Sequence, residues 1–110
     1  MRRIGRFSLR RVAVRGPSMV PALRDGDVVL ACGWARPRPG SVVLVRWAHR
    51  PWQLSVKRAI RRQGDGWWVV GDNPFGSTDS RELGAATVLA TVPLRLWPRP
   101  KRLRPAGPPA

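Results

Sequence analysis

Proline and glycine interrupt this sequence so regularly that ordered backbone is confined to short segments: 12 prolines and 11 glycines fall within 110 residues. Proline removes a backbone donor and glycine favours turns, so neither continues a helix or a central strand well. Between the breaks lie runs of strand length, Leu9–Val14, Val28–Cys32, Ser41–Trp47, Gln53–Arg62, Trp67–Val70 and Val88–Trp97, the last bent at Pro93. The breaks carry turn chemistry: Arg24-Asp25-Gly26-Asp27, Pro37-Arg38-Pro39-Gly40 and Gly64-Asp65-Gly66, whose Asp-Gly pair favours a hairpin. No segment has a helical apolar period. The pattern predicts an all-β chain, a small folded sheet or partly open barrel. Within Gln53–Arg62, Leu54, Val56 and Ile60 alternate with Ser55, Lys57 and Ala59, so Lys57 faces away from Val56 and from Arg58.

The length allows one domain with a modest core. Residues 1–11 read as a basic N-terminal segment, 12–98 as the folded unit and 99–110 as a disordered tail rich in proline and arginine. The longest apolar runs, Val28–Cys32 and Val42–Val45, fall far short of the ~20 residues that span a bilayer. The N-terminus is positively charged but lacks the apolar stretch of a secretory signal, so a cytoplasmic location is the expectation. A single cysteine, Cys32, can form no internal disulfide and is expected to fill core space. With one histidine, His49, in a solvated turn, no metal site or cofactor is expected.

The net charge of +15 is compatible with nucleic acid, an anionic surface or an acidic protein partner and does not choose among them. Of 21 basic residues only Lys57 and Lys101 are lysine, and the arginines are spread along the whole chain, as a coding preference for arginine would also produce. Lys57 is therefore conspicuous. A guanidinium stays protonated at any working pH, whereas a buried lysine near other cations can lose its proton and act as a base. Read alone, Lys57 is an ordinary solvated strand residue.

Two loops accompany it. In Gly16-Pro17-Ser18-Met19-Val20-Pro21 the serine hydroxyl sits on a backbone with few alternatives, which suits a nucleophile as well as a plain turn. Gly71-Asp72-Asn73-Pro74-Phe75-Gly76-Ser77-Thr78-Asp79-Ser80-Arg81 is dense in side chains that cap backbone, and Asp79 and Arg81, two residues apart, would share a face if extended.

Together and in this order, Gly-x-Ser-Met-x-Pro, Val56-Lys57-Arg58 and the Gly71–Arg81 box resemble the type I signal peptidase family of serine–lysine proteases, over roughly Val12 to Pro98. The resemblance implies a signal-peptidase or LexA-like fold, Ser18 as nucleophile and Lys57 as general base. Ser77 would orient the lysine amine, Asp79 and Arg81 would form a supporting ion pair, and Gly71 and Asp72 would open the supporting box. An oxyanion would be held by the Ser18 N–H and a donor near Gly16. Met19 would line the pocket for the residue before the cut. Short length, the Gly-Asp-Asn-Pro opening and the Leu94-x-x-Trp97-Pro98 ending resemble the subgroup that matures nickel-type superoxide dismutase by removing a leader. The implied partner is that precursor; peripheral membrane contact through tryptophan and arginine is compatible with the family. Ala22, where many members have threonine, and the missing large insertion of bacterial signal peptidases depart from the pattern.

Other readings compete. LexA-like repressors share the dyad, but no DNA-binding domain precedes it here, and Leu54 excludes a Ser-x-x-Lys arrangement. Arginines interleaved with six tryptophans would suit a nucleic-acid-binding module. Adjacent Trp67 and Trp68 face opposite sides of a strand, however, so at most one serves a given stacking surface, and no nucleic acid is expected. A family member that binds a leader peptide without cutting it is the remaining alternative.

Overall fold

A computed structural model describes residues 8–105. Its core is a single antiparallel sheet of strands β1 (Leu9–Ala13), β2 (Val28–Cys32), β3 (Val42–Trp47), β4 (Arg50–Gln63), β5 (Gly66–Val70), β6 (Thr87–Trp97) and β7 (Lys101–Arg102). The spatial order is β1-β2-β6-β3-β4-β5, with β7 on β6. The expected all-β architecture is present as an open, curled sheet. Backbone bonds in both directions between Trp67 and Ala86, 2.9 and 2.8 Å, tie the β5 edge back to the residues leading into β6.

Curling lets both faces bury apolar side chains, and β3, in the middle, supplies both. Val42 and Leu44 join Val14, Met19, Leu23, Val29 and Val56 on one side. Val43, Val45 and Trp47 join Ala59, Trp67, Val69 and Val88 on the other. That alternation is the two-residue period of a strand made visible in two clusters. Cys32 is buried, as its expected role requires.

Four expectations change. β4 starts at Arg50, three residues ahead of the expected Gln53, and runs through Pro51, because β5 pairs only from Arg58 and leaves the first half of β4 as an edge, where a missing N–H is tolerated. Ser80–Leu83 form one helical turn (α1) capped by Asp79, too short to leave an apolar period. The tail is ordered at its start: Lys101 and Arg102 pair with Arg95 and Leu94, and Leu103 packs on the first cluster. The basic residues there are carried by an apolar anchor, so the disorder expected from 99 fails up to Pro105, and 106–110 lie outside the described residues. At the other end β1 takes Leu9 to Arg11 into the sheet, ahead of the boundary expected at 12.

Candidate active site

The chain leaves β1 through Val14, whose N–H donates to the Asp27 carbonyl (2.8 Å) and whose carbonyl accepts from Gly26 (2.8 Å). This clamps the approach to Ser18. Beyond it Gly16 turns with φ +79°, a conformation that favours glycine, and its N–H donates to Asp25 Oδ1 at 2.7 Å. A tight turn follows, with Val20 N–H on the Pro17 carbonyl and Leu23 N–H on that of Met19. Met19 is fully buried in the first cluster, so it anchors the loop from beneath and does not line the cleft. That corrects its expected role: the turn after Ser18 directs the next side chain inward.

The Gly71–Arg81 segment holds this loop from the other side. Asn73 N–H donates to the Ser18 carbonyl (2.9 Å) and Asn73 Nδ2 to that of Pro17 (3.1 Å). Gly71 is packed so closely that an added Cβ would collide with Ser77 Oγ and the Ser18 carbonyl. Asp72 receives Arg58 Nε (3.1 Å) and Nη2 (2.6 Å), a bidentate pair that fixes the box to β4 one residue past Lys57. Asn73 and Arg58 are the contributors that sequence reasoning passed over. Their neighbours in the motifs were the available signal.

Lys57 is 4% exposed. Its Nζ donates to Ser77 Oγ (3.3 Å), which donates to Asp79 Oδ2 (2.7 Å). Asp79 also accepts from the Gly71 N–H (2.9 Å) and from Arg81 Nε and Nη2 at 2.9 and 2.7 Å. Burial works against the Asp79 charge, but the bonds from Arg81, Gly71 and Ser77 outweigh it and hold the carboxyl well below the usual carboxylate range. For Lys57, burial and the Arg81 charge outweigh Asp79 and lower the amine below the ordinary lysine range. Asp79 and Arg81 form an ion pair, with Asp79 extended as the cap of the helical turn that carries Arg81.

Ser18 and Lys57 line one cleft of about 420 Å³, walled by Val12–Ser18 on one side and Gln53–Lys57 on the other, with Gly76 and Thr78 at its rim. No hydrogen bond joins the Ser18 hydroxyl to Lys57 Nζ among the described contacts; catalytic contacts often tighten only around bound substrate. The Ser18 N–H meets no protein acceptor among the described residues. Gly16, by contrast, spends its N–H on Asp25, so it does not supply the second oxyanion donor expected of it.

Residues 7–92 match the model of the Peptidase S24-like family. The chain belongs to that family. A relative from Arabidopsis thaliana, mitochondrial ATP-independent inner membrane protease subunit 1a, is 31% identical, covering 84% of this chain and 73% of its own. Mitochondrial inner membrane protease subunit 1 of Xenopus tropicalis is 29% identical, covering 79% and 68%. Membership in the Peptidase S24-like family, beside relatives named as proteases, supports a peptidase of the signal-peptidase kind. No helix among its described residues is long and apolar enough to cross a membrane.

Proposed function

We propose that the protein is a serine endopeptidase in which Ser18 attacks and Lys57 is the base, and that it removes a short N-terminal leader from a precursor protein. The observation that carries this is the buried Lys57 amine, held by Ser77 in a cleft wall shared with Ser18. Ser77 has one hydroxyl proton and directs it to Asp79, so it accepts a bond from Lys57 and leaves the neutral amine's lone pair for the cleft. In the reaction Lys57 takes the Ser18 proton as Oγ adds to the scissile carbonyl. The oxyanion forms against the Ser18 N–H, and the lysine ammonium then protonates the departing amine. Water, deprotonated by Lys57, releases the acyl group and restores the serine.

The substrate enters as an extended peptide between two unpaired edges. Among the described residues β1 has only β2 as a neighbour, and β4 before Arg58 has only β3. Main-chain bonds to such edges give affinity while alternate side chains enter pockets. A Trp67–Trp68 stacking platform gains no support, since Trp67 is buried in the second cluster.

Nickel-type superoxide dismutase is the precursor we favour, on the Gly71–Pro74 and Leu94–Pro98 features alone. Purified protein incubated with that precursor, with the new N-terminus read by mass spectrometry, tests both levels. A single leader cut that disappears with Ser18→Ala is the expected result. Cutting of other leaders but not of this one would overturn the substrate, and no cutting of any small-residue leader would overturn the peptidase mechanism.

A further inference from the structure

Among the described residues that line the cleft two carry a charge, and they differ in kind. Lys57 is buried, bonded to Ser77 and shifted toward neutrality, as its role requires. Arg15 is exposed, stands three residues before Ser18, and forms no ion pair or side-chain hydrogen bond among the described residues. No aspartate or glutamate lines the cleft. Asp27, Asp72 and Asp79, three of the chain's six acids, are paired to Arg95, Arg58 and Arg81. Asp25, which reaches the same loop, accepts the Gly16 N–H and lies beyond ion-pair distance of Arg15.

Among the described residues of the cleft wall Arg15 is therefore the one permanent charge, and its backbone is held on both sides. Val14 beside it is buried and clamped to Asp27 and Gly26, and Gly16 after it is bonded to Asp25. A side chain whose two neighbours are both pinned projects from a rigid base, which lowers the entropy lost on engaging a ligand. Three residues span at most about 11 Å and less through the turn at Gly16, so Arg15 faces substrate no more than about three extended residues from the reacting carbonyl.

The geometry points to Arg15 as a specificity-determining residue that receives a carboxylate side chain of the substrate, within about three residues of the bond that is cut. The inference rests on the peptidase reading for the location of that bond and adds an acidic residue to the substrate's requirements. The same guanidinium disfavours lysine or arginine at that position, so it both attracts and excludes. Partly exposed charge pairs have modest strength, so the effect is about three- to tenfold at low salt and shrinks as salt is raised.

Binding and cutting are read separately. Fluorescein-labelled leader peptides with small residues before the cut, carrying Asp, Asn or Lys at each position up to three on either side, are bound to the Ser18→Ala protein and followed by anisotropy. The same peptides are cut by the active protein. Arg15 predicts one position at which Asp binds and is cut about three- to tenfold better than Asn, and Lys worse. Arg15→Ala removes that difference and Arg15→Glu reverses it in favour of Lys. Arg36→Glu makes the same charge change on an exposed residue outside the cleft and leaves the preference in place. Equal handling of Asp, Asn and Lys at every position, or a preference lost equally in Arg36→Glu, overturns the inference while leaving the peptidase reading untouched. An Arg15-dependent preference in binding without any cutting would support it and count against that reading.

Discussion

Replacing Gly71 by alanine tests the packing on which the site depends. A Cβ there would lie 2.5 Å from the Ser18 carbonyl oxygen, 2.7 Å from Ser77 Cβ and closer still to Ser77 Oγ, where ordinary contact begins at 3.4 Å. Something must move by about 1 Å, and each obstacle belongs to the site: one is the carbonyl of the proposed nucleophile, the other accepts a bond from the proposed base. Overpacking of this kind costs about 1–3 kcal/mol. For a domain of this size that lowers Tm by about 5–20 °C. A displacement of ~1 Å among reacting groups lowers the rate about a hundredfold. Thermal denaturation gives the first quantity, and cleavage per folded molecule, measured well below the lower Tm, gives the second. Gly64→Ala is the control: an added Cβ meets nothing within 4 Å, and only the φ of +58° opposes it. It should lose about 1 kcal/mol of stability and no activity per folded molecule. Wild-type Tm and rate in Gly71→Ala would refute the placement of Ser18 and Ser77 against Gly71.

Three further outcomes follow from the site. In the proposed mechanism Lys57 acts as the neutral amine, and burial lowers its pKa, so kcat/KM should rise with pH to a plateau, with a midpoint below the ordinary lysine range. Between the folded and unfolded values the unfolded chain binds more protons, so stability should also rise with pH there; a rate falling through this window would contradict the assignment. Cys32 is 6% exposed and burial raises its thiol pKa, so Cys32→Ala and alkylating reagents should leave the rate within about twofold. The apolar stretch of the cleft lined by Ala13, Val14 and Val56 should favour alanine, serine or glycine before the cut. Tryptophan there should slow cleavage at least about tenfold by mass-spectrometric time course, and equal rates would show that the pocket is open.

The strands were legible because this chain marks their ends with proline, glycine and Asp-Gly, and β2 runs over the residues that its apolar run delimits. The insertion of β6 between β2 and β3 was not legible, since pairing of such distant segments leaves no local trace. Pro51 concealed the start of β4 because an edge strand tolerates what a central one does not. At the site, the motifs brought Ser18, Lys57, Ser77, Asp79 and Arg81 into view, and the structure joins the last four in one chain of bonds. Met19 and Gly16 were misjudged for one physical reason: motif position identifies a neighbour of the nucleophile, but the turn decides whether its side chain or N–H faces the cleft. The Asp25 carboxylate that takes the Gly16 N–H lies nine residues away and carries no motif of its own.

The central claim is that Ser18 and Lys57 act as one unit, and a double-mutant cycle on leader cleavage tests it most directly. Ser18→Ala, Lys57→Arg and the double variant are compared with the unaltered protein at equal folded concentration, each fold verified by circular dichroism. Each single substitution should lower kcat/KM by at least about a thousandfold, and the double should be hardly worse than either, because a nucleophile without its base is as inert as a base without its nucleophile. Full activity in Lys57→Arg, or losses that multiply in the double variant, would contradict the dyad.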